Sequence, residues 1–286
     1  MSKEYSLEVE VKLLAAGSWL SYLPGPHREV QKHFEDLSAR IREIVNEHKK
    51  TRDPACPRDL IDAYLEEIEK AEGNPESTFT EQNLTLIVID LFGAGTETTS
   101  STILWGMIYM VFHPEVQKRV QEEIDTVIGK LRSPVMEDQL SMPYVSAVIH
   151  EIQRLADIVP LAFPYITYKD AEVGEFVIPK ETLVVSHVSS VLKDETMWEK
   201  PHEFYPEHFL DAEGRFVRRE AFLPFSLGRH VCPGEQLAKM ELFLFFTSLL
   251  QHFTFCLPEN CPRPSVERVF AITISPSPFQ IRAIPR

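Results

Sequence analysis

The chain has 286 residues, a formal charge of −14, 44% apolar residues and 25% charged ones. That is mass enough for one large domain or two small ones with a real core, in proportions ordinary for a folded soluble protein. The acidic balance argues against a general nucleic-acid binder, and four cysteines without a CxxC pair exclude a disulfide framework and favour a reducing compartment.

The N-terminal MSKEYSLEVEVKLL is charged and alternating and reads as neither signal peptide nor anchor, so the chain as given is expected in the cytoplasm. Segments 28–50 and 58–72 read as polar-faced helices, joined by TRDPACPRD, whose two prolines break the pattern. After a loop at 72–78, Thr78 and Glu81 form a capping-box pattern that opens a long apolar helix to about Phe112. Asp90 and Glu97 interrupt that run and argue against a transmembrane span. Pro114 starts a helix over 114–128 with Val116, Val120, Ile124 and Val127 inward and Gly129 just past its end. Another helix, 143–155, turns Val145, Val148, Ile149, Ile152 and Leu155 inward. Beyond Pro160, YITYKDAEVGEFVIPKETLVVSHVSS is β-branched and alternating and predicts short strands and turns. A Pro- and aromatic-rich loop covers 198–230, a helix follows over 234–253, and VFAITISPSPFQIRAIP reads as a terminal hairpin. The expected class is mainly α with small β-sheets.

The stretch FLPFSLGRHVCPGEQLAKMELFLFF (222–246) places Cys232 between Gly228 and Gly234, just ahead of an apolar helix. A helix N-terminus carries partial positive charge and free N–H groups, which push a thiol toward the thiolate that binds metal or attacks carbon. Pro233 fits the first helical turn. Gly228 permits a positive φ, and Gly234 removes a side chain where a flat ligand would lie. The plainer alternative is a buried structural cysteine. The pattern F-x-x-G-x-[basic]-x-C-x-G, filled at Phe225, Gly228, His230, Cys232 and Gly234, resembles the haem-binding loop of the cytochrome P-450 family, whose cysteine thiolate is the axial iron ligand.

Two distant motifs bear on that resemblance. AGTETT (94–99) sets Gly93 and Gly95 near the middle of the long helix, where each glycine costs about 1 kcal/mol relative to alanine. Such glycines suit a helix that opens beside a ligand, with Thr98 one turn from Ala94 to bond the released carbonyl; close helix packing is the other reading. The stretch is similar to the family's oxygen-binding motif. Glu151 and Arg154 in HEIQR lie three apart on one helical face, which in isolation reads as a surface ion pair. In the family this pair is buried and locks its helix to the loop before the cysteine. The family's third member is an arginine in a PxRF stretch; here YPEHF puts His208 in its place. His230 likewise stands where an arginine or lysine usually meets a haem propionate.

The resemblance covers essentially the whole chain and looks closest to animal family 2, with the drug- and amine-oxidising D subfamily first and the fatty-acid-epoxidising J subfamily second. It implies a single domain over 1–286 with the cytochrome P-450 fold, lacking an N-terminal portion, so exposed apolar surface is expected where that portion would pack. It implies haem b, and NADPH electrons delivered by a partner NADPH–cytochrome reductase, with a cytochrome b-type protein as second donor. The implied reaction is O2-dependent monooxygenation of lipophilic molecules (xenobiotics, amines, fatty acids or steroids) at the endoplasmic reticulum membrane. By the same resemblance Thr98 and Glu97 handle oxygen and protons, and Phe225, Gly228, His230, Gly234, Ala94 and Gly95 shape the cofactor site around Cys232. Ile87, Asp90, Leu91, Val159, Leu161, Phe163, Thr273 and Ile274 line the substrate pocket. Asp90 is expected to pair with a cationic amine, with a solvated acid as the equal alternative. Lys118, Arg119, Arg229 and Lys239 are candidate reductase contacts.

Three rivals remain. LIVIDLFGAGTETTS offers G-x-G-x-x, but its third glycine is Thr98 and the segment after it is helical where a dinucleotide fold needs a strand. His230, Cys232, His252 and Cys256 match no common zinc spacing. The third is a truncated, non-catalytic polypeptide of the same family without stable haem.

Overall fold

The computed structural model describes residues 25–259, 261–270 and 273–286. The charged N-terminal stretch read above lies outside them. The chain divides into two compact units, 1–97 and 98–286, with the boundary inside one helix.

In the first unit, helix α1 (Pro26–Thr51), helix α2 (Leu60–Lys70) and the start of helix α3 (Glu81–Phe112) follow the expected order. Ile41 and Val45 of α1, Ile61 and Leu65 of α2, and Leu84, Val88 and Ile89 of α3 form its core. Asp59 caps α2 by accepting the Asp62 N–H at 3.1 Å, and also accepts from His48 Nε2 at 2.8 Å. Arg58 grips the Asp62 carboxylate from Nε at 2.6 Å and Nη2 at 2.9 Å. The cap of α3 is Thr80, not Thr78. Its hydroxyl accepts from Asn83 N at 3.1 Å, whereas Thr78 contributes its carbonyl to Asn83 Nδ2 at 2.7 Å. An N-cap must directly precede the first helical residue, here Glu81, and Thr78 stands two residues too early.

The second unit holds the rest of α3, with α4 (Pro114–Val127), α5 (Pro143–Ala156), the short α6 (Val188–Leu192) and α7 (Glu235–His252). Its main core joins Trp105 and Ile108 of α3, Val120 and Ile124 of α4, Val148 and Ile152 of α5, and Phe243, Phe246 and Leu250 of α7. Gly106 makes the close approach possible: a Cβ there would sit 3.1 Å from Ile152 Cδ1 and 3.3 Å from Phe246 Cε2. Gly129 closes α4 with φ +75° and an N–H bonded to Ile124 O at 3.0 Å.

Among the described residues four antiparallel strand pairs occur, beside an isolated Leu210–Phe216 bridge: β1 (Tyr165–Ile166) with β4 (Leu183–Val184), β2 (Ala171–Val173) with β3 (Phe176–Ile178), β5 (Phe253–Cys256) with β8 (Arg282–Pro285), and β6 (Arg268–Phe270) with β7 (Ile274–Pro276). The tail therefore splits. Its hairpin is β6–β7, while its last strand returns to β5, with Cys256 opposite Arg282. Gln117 of α4 fixes β5 by bonding both Phe255 N, at 2.7 Å, and Phe255 O, at 2.9 Å, so the C-terminal strand completes the free edge. No described helix is long and apolar enough to cross a membrane.

Candidate functional site

Glu151 and Arg154 project from one face of α5 and are both fully buried. The guanidinium meets the carboxylate in a fork, Nε to Oε2 at 2.8 Å and Nη2 to Oε1 at 2.7 Å. Its remaining donors reach the carbonyls of Leu192 at 3.0 Å, Pro201 at 2.7 Å and Glu203 at 3.0 Å. Glu151 also accepts the Tyr205 N–H at 2.9 Å. The pair thus fastens α5 to the 192–205 segment, and the surface ion-pair reading is discarded. His208, 4% exposed, sits in the same cluster: Nδ1 is 3.2 Å from Glu151 Oε2, and Nε2 accepts the Lys200 N–H at 3.1 Å. Accepting at Nε2 requires a lone pair there, so the ring is neutral with its proton on Nδ1.

From His208 the chain runs to the cysteine loop. Arg219 Nε donates to His208 O at 2.6 Å, and Phe222 packs its ring against His150 and Phe209 at 4.9 and 5.1 Å. Burial among these rings pushes the His150 imidazole down to about 4. The loop then turns back on itself, with Cys232 N–H donating to Phe225 O at 2.9 Å. Ser226 at φ +66° and Gly228 at φ +79° make the reversal, and Gly228–His230 form a single 3-10 turn. The positive φ expected of Gly228 is present; Ser226, which no glycine-based argument singled out, adopts one too.

Cys232 is a free, half-buried thiol. It stands two residues before Gly234, the N-cap of α7, and Pro233 lies outside the helix rather than in its first turn. The carbonyl of Gly234 takes the first intrahelical bond, from Ala238 N at 2.9 Å, which fixes the helix start one residue later than the sequence suggested. A Cβ on Gly234 would lie 3.9 Å from the sulfur, an ordinary contact. His230 stacks on Tyr165 of β1, ring centroids 4.2 Å apart, which ties the loop to the segment carrying Val159, Leu161 and Phe163. Leu161 and Phe163 are exposed and Val159 is half-buried.

Thr98, half-buried, belongs to the same unit as Cys232. The next residue, Thr99, donates its hydroxyl to Glu241 on α7 at 3.2 Å, and Thr102 donates to Thr98 O at 2.9 Å. The helix stays regular through Gly93 and Gly95, where the sequence suggested an opening: α3 is continuous from Glu81 to Phe112, its backbone bonds outweighing the two glycines. Ile87, Asp90, Leu91, Ala94, Gly95 and Glu97 follow one another along the first-unit part of α3, all exposed except half-buried Ile87. Thr273 and Ile274, expected to line a pocket, are instead 3% and 2% exposed. Ile274 is a core residue, its N–H bonded to Ile158 O at 2.8 Å and its carbonyl to Trp105 Nε1 at 3.2 Å. The family resemblance, not a pattern in the tail, assigned both positions to the substrate pocket. Tyr165, Arg219, Glu241 and Lys200 were missed because their partners are distant in sequence and no local pattern announces them.

Among the docking candidates, Lys118 pairs with Glu122 at 3.7 Å, Arg119 with Glu207 at 3.2 Å and Lys239 with Glu235 at 2.5 Å; Arg229 is exposed. Leu161, Phe163, Ile166, Leu183 and Leu227 are exposed.

The family model described as Cytochrome P450 matches residues 1–283. Cytochrome P450 2D14 of Bos taurus is 55% identical over 276 residues, covering 96% of this chain and 55% of the relative. Cytochrome P450 2D6 of Homo sapiens is 55% identical over the same length, covering 96% and 56%. Cytochrome P450 2D3 of Rattus norvegicus is 57% identical over 265 residues, covering 92% and 53%. The chain spans about half the length of the curated relatives it matches. These names agree with the first choice of subfamily made from the motifs.

Such a family implies haem b, and the residues present fit it. Cys232 offers one soft sulfur donor, half-buried at a turned-back loop, and no described group of three metal-binding side chains includes it. A single protein donor suits an iron whose other ligands come from a porphyrin. Exposed Leu227 and Val231 flank the sulfur in sequence for an apolar macrocycle, and Arg229 and His230 offer donors for its carboxylates.

Proposed function

The chain belongs to the cytochrome P450 family, and from that premise we propose that it carries the haem-thiolate centre of a monooxygenase acting on lipophilic small molecules. The observation that supports this most is the Phe225–Cys232 loop, closed by its own 2.9 Å backbone bond and presenting a half-buried free thiol. When bound, the haem supplies oxygen activation, with electron density from the sulfur favouring O–O cleavage.

The chain's own residues divide the remaining tasks. The Cys232 backbone bond to Phe225 closes the loop that carries the sulfur, and the Tyr165–His230 stack ties that loop to β1. Thr98 Oγ1 handles a proton at the reacting oxygen and the Glu97 carboxylate relays it. In the second unit Val159, Leu161 and Phe163 desolvate an apolar substrate; in the first, Ile87 and Leu91 offer apolar surface and Asp90 pairs with a cationic amine. Thr273 and Ile274 act from behind as packing. Electrons come from NADPH through a reductase, with a cytochrome b-type donor as second source, and the membrane of the endoplasmic reticulum is the proposed location. Of the candidate contacts for that partner, Arg229 is favoured, since Lys118, Arg119 and Lys239 already hold carboxylates.

A second reading, a polypeptide of this family that retains no haem and does not turn over, is favoured by the exposed Leu161, Phe163 and Leu227. One measurement separates the two. The purified chain, reduced and saturated with CO, should give the displaced Soret band of thiolate ligation, and Cys232→Ala should abolish it. Haem lost on gel filtration, or a band unchanged in the variant, sinks the first reading.

A further inference from the structure

We propose that His208 is an acid-sensitive latch on one backbone group: neutral, it holds the Lys200 N–H beside the buried Glu151–Arg154 pair, and a second proton on its ring releases that N–H. The proposal rests on hydrogen-bond directions and stands whether or not haem is bound. Nδ1 faces the Glu151 carboxylate at 3.2 Å, which only accepts, and Nε2 faces the Lys200 N–H at 3.1 Å, which only donates. One tautomer satisfies both. A proton taken from solvent onto Nε2 sets N–H against N–H, and the Lys200 bond is lost.

Nothing nearby rewards the added charge enough to offset that loss. From α5, Glu151 is already neutralised by the Arg154 fork, and its oxygens also accept from Tyr205 N. His150 of the same helix meets Phe209, the neighbour of His208, and burial holds it neutral down to about 4. From the 198–205 segment, Lys200 lies with its ammonium 4.2 Å from the Tyr205 ring and 3.9 Å from Glu203. Trp198 and Tyr205 present ring contacts to the imidazole at 5.3 and 5.1 Å. Glu207 is paired with Arg119 of α4, and Arg219 brings a guanidinium to His208 O at 2.6 Å. The local balance beyond the Glu151–Arg154 pair is cationic.

Amide hydrogen exchange of the full chain at pH 7.5 and 5.5, corrected for intrinsic rates, tests this. Protection of the Lys200 amide should fall about tenfold at the lower pH, the loss of one backbone bond, while the Tyr205 amide on Glu151 and the amides of α4 keep theirs. In His208→Gln, which keeps an amide donor and acceptor but cannot titrate, protection should not change with pH. Should that variant fail to fold, nitrogen NMR of the wild-type imidazole serves: Nδ1–H at pH 7.5, with protonation tracking the loss of protection. Constant protection in the wild type, an equal fall in His208→Gln, or an Nε2–H ring at pH 7.5 overturns the latch.

Discussion

Arg154 shows how one side chain serves as a fastener. Its guanidinium gives two bonds to Glu151 and the rest to four carbonyls spread over 192–203, all inside a site from which water is excluded. Removing it leaves a buried carboxylate with the Tyr205 N–H and a neutral histidine as its only described partners, a change that costs about 3–5 kcal/mol. Arg154→Ala should therefore lower the urea midpoint by more than any surface substitution, and Arg154→Lys should recover only a minor part, because an ammonium cannot make the fork. A midpoint within experimental error of the wild type would show that the pair is not a fastener. The Glu-x-x-Arg spacing was legible because both residues lie on one helix. The carbonyl acceptors were not, since a backbone oxygen carries no residue signature, and the neutrality of His208 became readable only when both of its ring partners were known.

At the scale of elements, local chemistry located the helices well and their partners poorly. Pro114 and Gly129 bracket α4 as the sequence predicts, and α5 runs one residue beyond its expected end. Each boundary is set by residues inside a few turns. The β5–β8 pair joins residues nearly thirty apart and is selected by Gln117 on a different helix, so no hairpin pattern in the tail could announce it. The cysteine loop is intermediate: its glycine and cysteine were readable, but its anchor, Tyr165 on His230, was not. The link between α3 and α7 is of the unreadable kind and gives a clean test. Thr99→Val keeps shape while removing the donor to half-buried Glu241. It should cost about 1–3 kcal/mol as that carboxylate loses a partner. Thr99→Ser, which keeps the hydroxyl, should cost markedly less; equal losses in the two variants would assign the effect to packing of the methyl group.

For the molecule as a whole, composition bounded the class, and the two separate cores add something composition does not hold. The core of Ile41, Val45, Ile61, Leu65, Leu84, Val88 and Ile89 shares no residue with the one built on Trp105, Ile152 and Phe243. Each unit therefore carries its own stabilising contacts and its own response to acid. In the first unit that response centres on Arg58 and Asp62: the guanidinium holds the carboxyl down to about 2, below its ordinary 3.8, against a smaller opposing effect of desolvation. A carboxylate whose folded value is depressed contributes fully above its unfolded value, and the contribution is lost as pH falls from about 3.8 toward 2. Asp62→Asn removes this dependence and should weaken the first unit at neutral pH while flattening its loss below pH 4. Proteolysis in the 52–58 connection, compared with cleavage after Gly129, separates the units. Separate cores predict faster cleavage only at the first site in Asp62→Asn. A parallel rise at both sites would instead mean that 1–286 unfolds as one cooperative domain, with α3 transmitting the loss from one core to the other.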